Sequence, residues 1–146
     1  MKKNTLCQAA GSHYERKKPM ASEIIQTDTA PAAIGPYSQG IVSGNYLFIS
    51  GQIGLDPATG EMKTAGFEVE ADQALRNMGR ILSEARLGVD NIVSVDVFLT
   101  DMGNFAIFND IYASFMGNAR PARAVVEVSA LPKEASVEVK CIACLD

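Results

Sequence analysis

Apolar residues recur at steps of three and four between positions 67 and 86, the spacing that places them on one face of an α-helix. This stripe consists of Ala71, Leu75, Met78, Leu82 and Ala85. A second stripe with the same spacing runs through residues 105–115 and is rich in aromatic residues. We therefore predict two amphipathic helices, over residues 67–86 and 105–115, with Gly88 as the C-cap of the first.

The rest of the chain is punctuated by short runs that are rich in β-branched residues or alternate between apolar and polar positions. These runs predict strands over residues 23–26, 38–42, 46–50, 92–99, 123–128 and 137–143. The resulting order is β-β-β-α-β-α-β-β. Helices of this length between strands favour an α+β fold in which two helices pack on one face of a single mixed sheet.

Alternation also predicts which strand residues face the helices. The residues assigned to the helix face are Val93, Val95, Val97, Leu99, Val137, Val139 and Cys141. Those assigned to the other face are Phe48, Ser50, Gln52, Ser94, Asp96, Phe98, Arg123, Val125, Glu127, Glu138, Lys140 and Ile142. This mixture of apolar and charged residues is typical of a surface that is partly buried against another subunit.

The charge is divided unevenly along the 146 residues, a length that fits one domain. The first 19 residues carry a net +4 and the other 127 carry −8. An acidic body argues against binding to nucleic acid or to an anionic membrane. We expect residues 1–20 to be a dispensable or disordered extension and residues 21–146 to form the domain.

The three cysteines and the absence of an apolar leader predict a cytoplasmic protein in a reducing compartment. Cys141 and Cys144 form a C-x-x-C pair, but at the end of a predicted strand and not at a helix N-terminus, where a thiolate would be stabilised. With His13 as the single histidine, neither a zinc site nor a Ser-His-Asp triad is expected.

Arg123 and Glu138 are the best candidates for chemistry. If the last two strands were neighbours, both side chains would lie on the sheet face away from the helices. A guanidinium can bind a carboxylate through two parallel hydrogen bonds, and a nearby carboxylate can orient water and carry a proton. The alternative is an ion network of these two residues with each other or with Glu127 and Lys140.

Several blocks of the sequence resemble the RidA (YjgF) family of reactive intermediate deaminases. The first block, residues 30–40, reads Ala-Pro-Ala-Ala-Ile-Gly-Pro-Tyr-Ser-Gln-Gly. Residues 49–53 and 56–60 continue in register, and residues 120–128 with 131–132 and 137–139 form the most specific block. The resemblance covers about residues 23–143.

This resemblance implies a chorismate-mutase-like fold and a homotrimer with a central barrel, with ligand sites between subunits. It implies hydrolysis of 2-imino or 2-enamino acids to 2-keto acids and ammonia, without cofactor or metal. Arg123 would hold the substrate carboxylate and Glu138 would position the water. Tyr37, Ser50, Gly51, Asn109 and Val125 would line the site.

Val125 stands where many deaminating members carry cysteine, which puts thiol-dependent regulation in doubt. Two other functions stay open at this point. One is a non-catalytic, regulatory binder of small 2-keto or amino acids. The other is a ribonuclease that inhibits translation, which the acidic body disfavours.

Overall fold

The computed structural model describes residues 22–146, and the predicted extension over residues 1–20 lies outside this part of the chain. Six strands and two helices follow the predicted order. The strands are β1 (Glu23–Ile25), β2 (Gly40–Ser43), β3 (Tyr46–Gln52), β4 (Ile92–Leu99), β5 (Ala122–Glu127) and β6 (Val137–Cys144). The helices are α1 (Phe67–Glu84) and α2 (Phe105–Met116), and single 3-10 turns occupy Val89–Asn91, Met102–Asn104 and Pro132–Glu134.

The six strands form one mixed sheet in the order β1-β2-β3-β6-β4-β5, in which only β4 and β5 run parallel. The prediction of a single mixed sheet is confirmed. The assumption that the last two strands are neighbours is wrong, because β4 lies between β5 and β6. A parallel neighbour requires a crossover, and α2 supplies it between β4 and β5.

Both helices cover the same face of the sheet and bury the core there. The predicted stripe is buried from Ala71 to Leu82 and partly buried at Ala85, and the inward residues of the central strands are buried too. Where the helices meet, Gly79 lets the ring of Phe115 approach closely, since an added Cβ would lie 3.1 Å from its Cζ. The core residues with almost no exposed surface include Leu47, Leu75, Met78, Ile81, Leu82, Val95, Val97, Leu99, Phe108, Val137 and Val139.

Helix α1 ends earlier than predicted. Arg86 adopts a left-handed backbone with φ 59°, and the N–H groups of Arg86 and Leu87 donate to the carbonyls of Ser83 and Leu82 at 2.9 Å. These bonds satisfy carbonyls of the last turn in the manner of a left-handed C-cap. Gly88 lies beyond that cap and precedes the 3-10 turn at Val89–Asn91.

At two irregularities in strand pairing, side chains lie on the opposite side of the sheet from the one predicted. Between Ile49 and Gln52 the pairing of β3 with β6 shifts, so that Gln52 pairs with Val139 and is buried on the helix side. A similar shift between Ile92 and Ser94 leaves Val93 43% exposed. An extra residue in a strand reverses the facing of everything beyond it, which alternation alone does not reveal.

The facing of β5 was also predicted wrongly. Arg123 pairs with Val95 and Val125 with Val97, and both partners point towards the helices. Paired residues share a face, so Arg123, Val125 and Glu127 lie on the helix side of the sheet edge. Glu138 pairs with Phe98 and does lie on the face away from the helices.

No helix within residues 22–146 combines the length and the apolar character that a bilayer span requires.

Candidate active site

Glu138 lines a cavity of about 310 Å³ near the start of β6, which we call the Glu138 cavity. Its wall combines the Pro-rich loop before β2, the bulge of β3 and the loop before β6. Four of the predicted site residues are in this wall. The lining includes Pro31, Ile34, Tyr37, Ser50, Gly51, Ile53, Leu55, Pro132 and Glu138.

The carboxylate of Glu138 lies directly over Gly51. A Cβ built on Gly51 would lie 1.8 Å from Oε1 of Glu138, so any side chain at residue 51 would displace the carboxylate. The absence of a side chain at this bulge thus creates the space that the acid occupies. Burial raises the pKa of the Glu138 carboxyl above its ordinary value, while the charge of Lys140 acts in the opposite direction.

Hydrogen bonds fix the backbone around this carboxylate. The Ser50 hydroxyl donates to the Ser38 carbonyl at 2.6 Å, and the Ser50 N–H donates to the Gln39 carbonyl at 3.0 Å. The buried side chain of Gln39 donates to the carbonyls of Thr27 and Pro31 and accepts from the Thr27 N–H. The loop that carries Tyr37 is therefore tied to the strand that carries Gly51.

Tyr37 borders the cavity, as predicted, and its side chain is 48% exposed. Its hydroxyl accepts a bond from the Ile34 N–H at 3.4 Å. Both residues present apolar surface beside the Glu138 carboxylate, and Ile34 is itself 65% exposed. Together they form an apolar rim next to the acid.

Two buried polar residues of α1 support the same cavity and were missed at the sequence level. Glu70 Oε1 accepts the Ser136 N–H at 2.6 Å, just before Glu138. Asn77 donates to the carbonyls of Ile53 and Leu55. Their spacing of seven residues places them on one edge of the apolar stripe, and that spacing was the signal available in the sequence.

Arg123 lines a different cavity, of about 320 Å³, at the edge of the sheet beside α2. We call it the Arg123 cavity. It is lined by Asn109, Tyr112, Ala113, Met116, Ala119, Arg120, Pro121 and Arg123. Asn109, which was expected to line the site, contacts Arg123 directly, since Nη2 of Arg123 donates to Oδ1 of Asn109 at 2.8 Å.

The Arg123 guanidinium has no carboxylate partner within residues 22–146. The ion pairs found in that range are Lys63–Asp56, Arg76–Asp72 and Lys140–Asp96. Glu127 instead accepts the Met102 N–H at 2.8 Å. Within residues 22–146 of a single chain, the alternative ion network of Arg123 and Glu138 with each other or with Glu127 and Lys140 does not form.

Arg123 and Glu138 are separated within the chain. Their strand partners on β4 are Val95 and Phe98, three residues apart, and the two side chains point to opposite faces. Two strand spacings and that offset place the Cα atoms roughly 14 Å apart. The predicted site residues therefore fall into two separate groups, one around Arg123 and one around Glu138. One small ligand could not contact both groups of the same chain.

Val125 lines neither cavity and instead packs, half buried, against the core. Cys141 and Cys144 are also placed so that they cannot form a disulfide with each other. Cys141 faces the core, where burial raises the pKa of its thiol to about 12, while Cys144 lies three residues along the strand on the other face. Side chains that point to opposite faces of one strand cannot form a disulfide with each other.

Comparison with known proteins matches nearly all of the described residues to one protein family. The family model described as Endoribonuclease L-PSP matches residues 27–145. A RutC family protein of Pyrococcus horikoshii is 46% identical over 121 residues, which are 83% of this chain and 96% of that protein. The mouse 2-iminobutanoate/2-iminopropanoate deaminase is 45% identical over 121 residues, 83% of this chain and 90% of the deaminase.

Solved structures agree with these matches. The Escherichia coli YjgF gene product superposes with a TM-score of 0.81 at 43% identity, covering 85% of this chain and 99% of its own. Escherichia coli TdcF, solved with bound serine, gives a TM-score of 0.80 at 40% identity, covering 84% and 98%.

Proposed function

Because this chain belongs to the YjgF/RidA family, we propose that it hydrolyses reactive 2-imino and 2-enamino acids, such as 2-iminopropionate and 2-iminobutyrate, to 2-keto acids and ammonia. The observation that carries the proposal is the state of Arg123. Its guanidinium is held by a neutral amide oxygen, and no carboxylate of residues 22–146 neutralises it. An uncompensated guanidinium beside a cavity is suited to bind the carboxylate that every such substrate carries.

We further propose that the complete site forms between copies of the chain in a homotrimer, where the Arg123 cavity of one copy meets the Glu138 cavity of the next. The face away from the helices supports this assembly. A cross-strand row of apolar residues runs along it through paired positions of four strands, namely Ile24, Ile41, Phe48 and Ile142. Of these, Ile24 and Phe48 are 62% and 41% exposed in the single chain, so a partner surface would bury them.

The proposed reaction begins with two hydrogen bonds from Arg123 to the substrate carboxylate. Glu138, as the carboxylate, takes a proton from water while the water oxygen bonds to the C=N carbon and the π pair moves to nitrogen. The protonated Glu138 then gives a proton to that nitrogen. Glu138 next takes the hydroxyl proton and passes it to the same nitrogen, the C=O bond forms as the C–N bond breaks, and ammonia leaves.

The demands of this reaction match the small set of groups available. The imine carbon is already electrophilic, so orientation of one water and one carboxylate can supply the useful acceleration. Each ~1.4 kcal/mol of barrier lowering gives a tenfold gain in rate. The raised pKa of Glu138 suits a group that must both accept and return a proton.

An imine-trapping assay tests this function. An amino-acid oxidase generates 2-iminopropionate or 2-iminobutyrate in the presence of semicarbazide, and the protein should lower the amount of trapped imine. Arg123→Ala should abolish the effect, while Arg76→Ala, which removes an exposed arginine paired with Asp72, should retain it. Equal trapping with and without the protein would refute the proposal.

A second candidate is a non-catalytic binder of small amino or keto acids, which the serine bound in the TdcF structure favours. Glu138→Gln separates the two functions. The enzyme should lose turnover but keep affinity for 2-oxobutyrate, whereas a pure binder has no turnover to lose. The ribonuclease suggested by the name of the family model is disfavoured by the −8 charge of residues 20–146.

A further inference from the structure

Tyr112 lies beneath Arg123 in the Arg123 cavity. The guanidinium carbon of Arg123 is 4.6 Å from the centroid of the Tyr112 ring, within the range of a cation–π contact. The ring is 8% exposed and packs against Phe108, with 5.8 Å between centroids. A buried ring on a helix is a fixed surface, so it can define where the guanidinium lies.

The hydroxyl of Tyr112 has no hydrogen-bond partner within the described residues, although it is buried. Burial raises the pKa of this phenol, with the charges of Arg123 and Arg120 opposing the effect, so the ring stays neutral. A neutral ring keeps the negative face that attracts a cation. The face of the ring, and not the hydroxyl, is therefore the part in contact with Arg123.

Asn109 holds the same guanidinium from another side. It precedes Tyr112 by three residues on α2, so both project from one face of the helix. Asn109 takes one Nη2 hydrogen bond and Tyr112 supports the plane of the group. Neither carries a charge that would compete with a substrate carboxylate, and the other guanidinium N–H groups stay available.

We propose that Tyr112 is a positioning residue that sets the orientation of Arg123 for carboxylate binding through the face of its ring. This inference rests on the proposed function, since it concerns the same substrate carboxylate. It assigns a role beyond the core to a residue that the helical stripe alone would place there. It also predicts that the electron density of the ring, and not only its shape, controls affinity.

A graded substitution at residue 112 of the full-length protein tests the proposal. Tyr112→Phe removes the hydroxyl, and 3,4,5-trifluorophenylalanine at the same position weakens the negative ring face at nearly constant volume. For each variant we would measure Kd for 2-oxobutyrate and KM and kcat for 2-iminopropionate. Tyr112→Phe should keep all three constants within about twofold, while the fluorinated ring should raise Kd and KM about two- to fivefold with kcat unchanged.

The outcomes are distinct. Turnover with no dependence on fluorination overturns the role of Tyr112 and leaves the enzyme function intact. Fluorine-dependent binding without turnover supports Tyr112 and refutes catalysis. If wild type neither binds 2-oxobutyrate nor turns over substrate, both proposals fail.

A second pair of variants decides the matter if the fluorinated protein does not fold. Tyr112→Met removes the ring at similar length, and Phe115→Met is its control, a partly buried aromatic three residues later on α2 that packs against Gly79. With both variants folded by circular dichroism, Tyr112→Met should raise Kd about two- to fivefold and Phe115→Met should leave it near wild type. Equal effects of the two substitutions would assign Tyr112 to the core alone.

Discussion

Arg123 and Glu138 lie on opposite faces of one sheet, with strand β4 between the strands that carry them. Each has its own cavity and its own set of supporting residues. Arg123 is hydrogen-bonded to Asn109 of α2. The backbone just before Glu138 is hydrogen-bonded to Glu70 of α1. This division is the arrangement that the proposed site between two copies requires.

Gly51→Ala should impair turnover far more than stability. The new methyl group would fall on Oε1 of Glu138, the end of a flexible side chain, which can rotate away and lose its position for water. A displacement of about 1 Å at a reacting group can cost up to a hundredfold, so we expect kcat to fall between tenfold and a hundredfold.

The control for that substitution is Gly88→Ala, where an added Cβ meets nothing within 4 Å and φ is −129°. Both variants should unfold at nearly the wild-type temperature. A Gly51→Ala protein with wild-type kcat would show that the Glu138 carboxylate need not lie over the bulge.

Lys140→Gln should move the acidic limb of the pH–rate profile to higher pH. Water activation requires Glu138 as the carboxylate, so activity is lost as pH falls through its pKa. Burial already raises that pKa, and removing the opposing charge of Lys140 should raise it further.

The profile of kcat/KM against pH measures this shift. Asp96→Asn is the matched control because it removes the partner of Lys140, at 3.4 Å, and leaves the lysine in place. The acidic limb of the Asp96→Asn profile should not move to higher pH. An unchanged limb in Lys140→Gln would separate Glu138 from the group that the profile reports.

Glu70→Leu should destabilise the fold, because the N–H groups of Ser136 and Val137 would lose their acceptor while buried. An unsatisfied buried group costs about 1–3 kcal/mol, which urea denaturation can measure. Glu70→Gln keeps a carbonyl oxygen at the same place and should cost less. Equal losses for the two variants would mean that packing against Gly54, and not hydrogen bonding, explains the burial of Glu70.

The order of helices and strands and the residues of the core were predictable because the spacing of apolar residues matches the residues that are buried. Val95, Val97 and Leu99 alternate with Ser94, Asp96 and Phe98, and only the first three are buried. The facing of β5 was not predictable in this way. Ala124 and Val126 form an apolar set, and alternation would turn this set towards the helices and Arg123 away from them. The pairing with β4 instead places Arg123 on the helix side and leaves Val126 45% exposed.

The order of strands in the sheet and the positions of bulges also could not be predicted from the single sequence. Whether β5 adjoins β6 depends on how the crossovers pack, and the shift at Ser50 and Gly51 depends on contacts with β6. Arg123 and Glu138 were singled out by their side-chain chemistry, and the resemblance added the other candidate residues and the expectation of sites between subunits. Glu70, Asn77 and Tyr112 were missed because helical periodicity assigns such positions to the core or its edge.

Activity in mixed oligomers tests the central claim most directly. Arg123→Ala keeps Glu138, and Glu138→Gln keeps Arg123, so each variant alone should be inactive in the imine-trapping assay. If the site joins Arg123 of one copy to Glu138 of the next, unfolding and refolding the two variants together in equal amounts should restore about a quarter of wild-type activity, since a random arrangement makes that share of the interfaces intact. A refolded mixture that stays inactive while wild type treated alike recovers would contradict a site shared between copies.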